Sequence, residues 1–174
     1  MILPSPRSAL LVPLALAASV MLASTSGCTA PPEPEPTPTP LFATDEEAFV
    51  AAEEVYREYI RAGDQGKDTS AYLVGSALED ELETARYLDE RGLSFTGETL
   101  VASFKGTRAK LRSLTPTVNA LVCLDASATR VIDDAGADVT PPDRAARVAL
   151  NVSFSWDVEA FAISRSQTTE ESAC

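Results

Sequence analysis

The chain has 174 residues, 45% of them hydrophobic and 23% charged, which is the composition of a globular protein long enough for one domain. Its formal net charge of −12 argues against nucleic acid and anionic lipid surfaces as partners, because both are bound through clusters of Lys and Arg. Histidine is absent, so serine triads, His-containing zinc sites and His/Cys dyads are excluded from this chain.

An apolar stretch near the N-terminus, SALLVPLALAASVMLAS, predicts an export signal over residues 1–27. It is too short and too close to the terminus for a stable membrane span. The sequence TSGC at residues 25–28 resembles a bacterial lipobox. This resemblance implies cleavage before Cys28 and a diacylglyceryl group on its sulfur. The alternative is ordinary secretion, with cleavage at a site such as residues 15–17 and a free Cys28 thiol.

The segment after Cys28 is rich in proline, and residues 28–43 are interpreted as the lipidated cysteine and a linker. Proline fixes φ and favours the extended polyproline II conformation, so the segment is expected to be a semi-rigid spacer of roughly 30 Å. Anchor and spacer together predict a location at the outer face of the cytoplasmic membrane, in a bacterial cell envelope. The prolines are Pro31, Pro32, Pro34, Pro36, Pro38 and Pro40.

Two amphipathic helices are predicted at the start of the domain. Thr44 and Glu47 match a capping box, and apolar residues then recur at helical spacing as far as Ile60. A second helix is predicted over residues 77–91, where the apolar residues again form a stripe and a glycine follows. A short helical turn is expected between them, over residues 70–75.

After the second helix the apolar residues alternate with polar ones, which predicts strands. The alternation changes parity across Gly97, which predicts a bulge within one bent strand. The other predicted strands are residues 118–124, 130–133, 148–156 and 161–165, with a turn at residues 134–136 and a reversal near residues 157–160.

Helices followed by a run of strands predict one α+β domain over residues 44–174, with the N-terminal helices packed on one face of a curved sheet. The sheet is expected to be antiparallel because no helix-length segment separates the later strands. This order of elements resembles the nuclear-transport-factor-two-like cone, a cystatin-like arrangement that SnoaL-type cyclases and ketosteroid isomerases share.

Short motifs are similar to those of actinobacterial lipoproteins that carry such a cone domain. They are AAEEVYREYIRAGD at residues 51–64, CLDAS at residues 123–127, RVID at residues 130–133 with Gly136, and a terminal Cys174. The resemblance covers most of residues 45–174. It implies a pocket between the helices and the concave face of the sheet, where enzymes of this fold place acids and bases.

The cysteines can be assigned by counting. If Cys28 is acylated, Cys123 and Cys174 remain, an even number in an oxidising compartment. A disulfide between them is therefore predicted, and it would tie the C-terminal tail to the central sheet. The alternative is a buried Cys123 and a free Cys174 in a frayed tail.

Six side chains are candidates for the pocket, although no spacing among them matches a catalytic motif: Tyr56, Tyr59, Tyr72, Tyr87, Asp125 and Trp156. Asp125 could act as a general base, but a strand-end carboxylate that accepts hydrogen bonds from turn amides is the simpler interpretation. The aromatic residues are more simply explained as parts of the core. No catalytic residue is assigned.

Two further signals are set aside. The acidic run at residues 133–138 lacks the alternating ligands and the distal Glu of a calcium loop, so it is interpreted as a hairpin. The sequence NVS at residues 151–153 fits a glycosylation sequon but lies in a predicted strand. No metal or other cofactor is expected.

These observations lead us to expect a membrane-anchored lipoprotein that acts as a non-catalytic binding or scaffold module of the cell envelope. Its expected partners are the membrane, through the lipid anchor, and an envelope protein or a small apolar ligand. Two alternatives remain open: an enzyme that uses an Asp/Tyr pair, and a self-associating domain that forms, for example, a homodimer. A carboxylate of raised pKa in an open pocket would favour the enzyme, and a sealed apolar interior the module.

Overall fold

The computed structural model describes residues 41–157, 160–170 and 174, so the predicted export signal, the predicted lipidation site Cys28 and most of the predicted linker lie outside the described residues. In this part of the chain no helix is long and apolar enough to cross a membrane. Its elements are α1 (Asp45–Asp64), a 3-10 turn (Ser70–Tyr72), α2 (Gly75–Glu90), β1 (Leu93–Thr96), β2 (Leu100–Lys110), β3 (Thr117–Asp125), β4 (Arg130–Asp133), β5 (Arg147–Asp157) and β6 (Ala160–Thr168).

Helix α1 begins at the predicted capping box. The Glu47 amide donates a hydrogen bond to Thr44 Oγ1 at 3.1 Å, and the Glu47 carboxylate accepts one from the Ala43 amide at 2.8 Å. The small residues Ala48 and Ala52 are fully buried, which lets the helix backbone approach the sheet closely.

The strands form a four-stranded antiparallel sheet in the order β2-β3-β5-β6 and a separate two-stranded sheet of β1 and β4. The prediction of one bent strand across Gly97 is therefore wrong. At Gly97 φ is +96°, a conformation that glycine adopts readily, and the chain leaves the small sheet there and enters the large one. The bulges of β2 lie further along, between Val101 and Ser103 and between Gly106 and Arg108.

The core lies between the two helices and one face of the four-stranded sheet. Aromatic rings occupy its centre: the ring of Phe154 lies 6.4 Å from that of Tyr56, 6.1 Å from that of Phe104 and 5.7 Å from that of Phe161. Around them pack the buried aliphatic side chains of Leu73, Val118, Val122, Val152 and Ile163. The predicted α+β class, with helices on one face of a curved antiparallel sheet, is confirmed, and the finer assignment to a cone stays a prediction.

The predicted disulfide is present. Cys123 of β3 is bonded to Cys174, and their Cα atoms are 5.6 Å apart. The neighbours of Cys123 along the strand, Val122 and Leu124, pack in the helix-side core. Because side chains alternate along a strand, Cys123 and the C-terminus lie on the opposite face of the sheet.

Candidate functional site

A cavity of about 510 Å³ lies where the end of α1, the following loop, α2, β1 and the end of β3 meet. Its apolar wall consists of Ile60, Ala85, Leu88, Phe95 and Leu124. Phe95 is 58% exposed, so its ring stands at the mouth. Because this apolar wall is accessible from the solvent, a ligand or a partner side chain can bury apolar surface against it.

One polar wall is built around Glu81 of α2. The Glu81 carboxylate accepts hydrogen bonds from the Tyr59 hydroxyl at 3.2 Å and from Thr69 Oγ1 at 2.7 Å. Burial raises the pKa of Tyr59 well above its ordinary value, and the nearby charge of Glu81 raises it further. Tyr59 therefore remains a protonated donor, and the network holds α1, the connecting loop and α2 together.

A second polar wall is formed by Arg144, from the loop between β4 and β5. Its guanidinium donates to Thr129 Oγ1 at 2.7 Å and to the carbonyl oxygens of Ala126 and Thr129 at 2.9 and 2.7 Å. Among the described residues, no carboxylate lies within ion-pair distance of Arg144. The cavity thus has a cation at one wall, positioned by neutral acceptors, and a carboxylate at another.

The mouth of the cavity is held by the last residue of α1. Both carboxylate oxygens of Asp64 accept a hydrogen bond from the Thr99 amide, at 3.0 and 3.2 Å. Asp64, Thr99 and Gly97 all line the cavity, so this contact connects the cavity to the β1–β2 turn. The site therefore depends on the path of the chain at Gly97.

Of the six candidate pocket residues, Tyr56 and Tyr59 come together, with their ring centroids 5.9 Å apart. Tyr59 lines the cavity just described, whereas Tyr56 is 2% exposed and belongs to the core. Burial raises the pKa of Tyr56 far above its ordinary range.

The other four candidates lie elsewhere. Tyr72 is half-buried in the 3-10 turn, and Trp156 is half-buried near the end of β5. Tyr87 is exposed on α2, where the Arg91 guanidinium lies 3.8 Å from its ring centroid. None of these three lines the 510 Å³ cavity.

Asp125 has the geometry of a strand-end carboxylate. It accepts a hydrogen bond from the Ser127 amide at 3.0 Å and lies 3.9 Å from the Arg147 guanidinium. Hydrogen bonding from Ser127 lowers the pKa of Asp125, with a smaller contribution from Arg147. A lowered pKa makes this carboxylate a weaker base.

Apart from Tyr59, the polar residues of the cavity are not among the six predicted pocket residues, and Glu81 and Arg144 are the two around which its polar walls are built. Glu81 belongs to the acidic run at residues 79–81, a pattern typical of a solvated helix face, yet it also has helical spacing with the apolar residues Ala77, Ala85 and Leu88. That spacing was the available signal, because residues three and four apart share a helix face. Arg144 lies in a loop without periodicity, and no local pattern marks it.

Within the described ranges no cluster of His, Cys, Asp or Glu could hold a metal ion.

No protein-family model matches the chain, and no curated protein matches it in sequence. Among solved structures, the crystal structure of the intermembrane space region of the chloroplast protein ARC6 is similar, with a TM-score of 0.51 and 12% sequence identity. The match covers 71% of this chain and 97% of the ARC6 chain. At that identity the likeness concerns the fold alone.

Proposed function

We propose that this protein is a lipid-anchored, non-catalytic binding module of the bacterial cell envelope, in which the cavity beside α2 accepts a small apolar ligand or an apolar partner side chain. The observation that carries the proposal is the pairing of Cys123 with Cys174. Disulfides persist in oxidising compartments, which supports an extracytoplasmic location. The pairing also leaves Cys28, the lipobox cysteine, as the remaining thiol in the sequence.

Two features favour binding over catalysis. The space between α1 and the sheet, where the fold resemblance would put an active site, is filled by the rings of Tyr56, Phe104 and Phe154. In the cavity, the Glu81 carboxylate is engaged by two hydroxyl donors. Both features support a site that holds a ligand by shape and apolar contact.

The anchor is tested by replacing Cys28. We expect the wild-type protein to incorporate a fatty-acid label, with a mature N-terminus at acylated Cys28, because the thiol is the attachment atom. Cys28→Ala is expected to incorporate no label and to be released into the medium. Labelling with an alkyne fatty acid, cell fractionation and intact mass provide the measurements.

The matched control is the double variant Cys123→Ala/Cys174→Ala, which also loses thiols but keeps Cys28. It should be labelled and membrane-bound like the wild type. A mature wild-type protein without a fatty acid, or a Cys28→Ala variant that remains in the membrane fraction, would show that the anchor is wrong.

The cavity is tested with N-phenyl-1-naphthylamine, an uncharged apolar fluorophore. We expect it to bind the wild-type protein with a rise in fluorescence, because the apolar wall excludes water from the dye. Ala85→Trp fills the cavity and should weaken binding at least about tenfold, which corresponds to about 1.4 kcal/mol.

Val50→Trp is the control, because it adds the same ring on α1 at a position that is 67% exposed and does not line the cavity. Its affinity for the dye should equal that of the wild type. If both variants bind the dye equally well, the cavity is not the binding site.

A further inference from the structure

Among the described residues, the face of the four-stranded sheet opposite the helices carries four cations outside any ion pair. A fifth, Arg147 of β5, lies at one end of this face, 3.9 Å from the Asp125 carboxylate. Along β2, Phe104 and Ala109 pack in the core, so Lys105, Arg108 and Lys110 point to the opposite side. Arg165 of β6 lies on the same side. It belongs to one cross-strand row with Arg108 of β2, Asn119 of β3 and Ser153 of β5. All four cations are exposed, and we call this surface the cationic face.

The other described side chains of these cross-strand rows are uncharged: Thr117, Asn119, Leu121, Asn151, Ser153, Ser155, Ala162 and Gln167. Residues 99–124, which include β2, contain no Asp or Glu in a chain whose net charge is −12. Among the described residues, none of the four cations takes part in an ion pair. Unpaired positive charge is thus concentrated in these rows of an acidic protein, while the Asp125 carboxylate at the end of the face lies beside Arg147, and the four cations attract anions locally.

A concavity of about 330 Å³ lies in the middle of this face, lined by Arg108, Asn119, Asn151 and Ser153 among others. Its floor is fixed by a hydrogen bond of 2.8 Å from Ser153 Oγ to Asn119 Oδ1. The Thr107 hydroxyl donates to the Asn119 carbonyl oxygen at 3.1 Å. Amide and hydroxyl groups therefore lie beside the guanidinium of Arg108, in a surface that the sheet keeps rigid.

We propose that the cationic face binds an anionic, hydroxyl-bearing polymer of the cell envelope. Arg binds carboxylate and phosphate groups through paired N–H donors, and Asn and Ser side chains hydrogen-bond hydroxyl groups. The cations are spread over roughly 15 Å in each direction, given the spacing of residues and strands, which suits repeated charges better than a single ion.

The residue composition of the cationic face favours a polymer over a protein partner or a membrane. Protein interfaces bury aromatic and apolar anchors, and membrane-docking surfaces insert apolar side chains. The apolar side chains of the rows named here are Leu121, which is half-buried, and Ala162, which is 1% exposed, so neither presents a large apolar surface. A hydrophilic polymer needs no such anchor, so charge complementarity and hydrogen bonding favour it.

The test is calorimetric binding of the full chain, purified in neutral detergent, to alginate and to poly(glycerol phosphate). These probes carry carboxylate and phosphate charges respectively, and both bear hydroxyl groups. We expect binding to at least one of them, weakened by added salt, and no binding to neutral dextran. Arg108→Gln/Arg165→Gln is expected to reduce the affinity at least about tenfold, because two charge-assisted contacts are lost.

Arg61→Gln/Arg86→Gln is the matched control, since it removes the same charge from exposed positions on the two helices. It should bind the polymers like the wild type. Equal weakening by both pairs, or no polymer binding, overturns the proposal. Binding to anionic lipid vesicles without polymer binding would assign the face to a membrane. Self-association that only the Arg108→Gln/Arg165→Gln variant abolishes would assign it to a second copy of the chain. Either result also overturns the proposal.

The inference rests on the envelope location proposed above, because that location is where such a polymer would be met. The two proposals fail separately. Polymer binding is measured on purified protein and does not depend on acylation, whereas fatty-acid labelling at Cys28 does not depend on Arg108 or Arg165.

Discussion

Cys123→Ala/Cys174→Ala is expected to lower the free energy of unfolding by about 4 kcal/mol. The bridge joins residues separated by 51 positions, and a closed loop of that length strongly restricts the unfolded chain. It also fixes the C-terminus to the middle of the sheet, since Cys123 is 6% exposed and lies opposite Ala149 of β5. Alanine avoids burying an unpaired hydroxyl at that position.

The measurement is urea denaturation of the wild type and the variant, with and without a reductant. Reduction should move the wild-type midpoint close to that of the double variant, and it should leave the variant unchanged. An oxidised wild type no more stable than the variant would show that the bridge contributes nothing to stability.

Gly97→Ala is expected to destabilise the protein by about 3 kcal/mol or more. Its φ of +96° disfavours any side chain, and an added Cβ would overlap the carbonyl oxygen of Ala128. That oxygen belongs to the backbone, so it cannot rotate away as the end of a side chain could. The expected result is a lower urea midpoint and a loss of dye binding in the cavity that Gly97 lines.

Gly66→Ala is the matched control, because Gly66 also has a positive φ, +63°, but an added Cβ there meets nothing within 4 Å. It should cost about 1 kcal/mol from the backbone conformation alone. The difference between the two variants measures the overlap at Ala128. If both variants lose the same stability, the close approach at Gly97 is not restrictive.

Much of the local structure was predictable because its causes are local. The capping pair Thr44 and Glu47, and the apolar spacing that follows it, lie within a few residues of the helix they start. Strands β3 and β5 alternate in polarity because one face of each lies against the core. The disulfide was predictable for a different reason, since the chain has three cysteines and few pairings are possible among them.

The site was less predictable, because its residues come from segments far apart in the sequence. Glu81 could be singled out within its acidic run only through its helical spacing with Ala77, Ala85 and Leu88. Its partners Tyr59 and Thr69 are placed by the packing of α1 against α2. Arg144 reaches the cavity through contacts with Ala126 and Thr129 that no sequence period encodes.

The sequence by itself determined which segments are helical or extended, since hydrophobic periodicity and capping act over a few residues. It also predicted the pairing of Cys123 with Cys174. Only the tertiary structure decided that β1 pairs with β4 and not with the large sheet, because strand pairing depends on the partner that lies across space. Strand pairing also places Arg165 on the same face as Arg108. The chain is acidic overall, but the register across the four strands concentrates these cations on one side of the sheet.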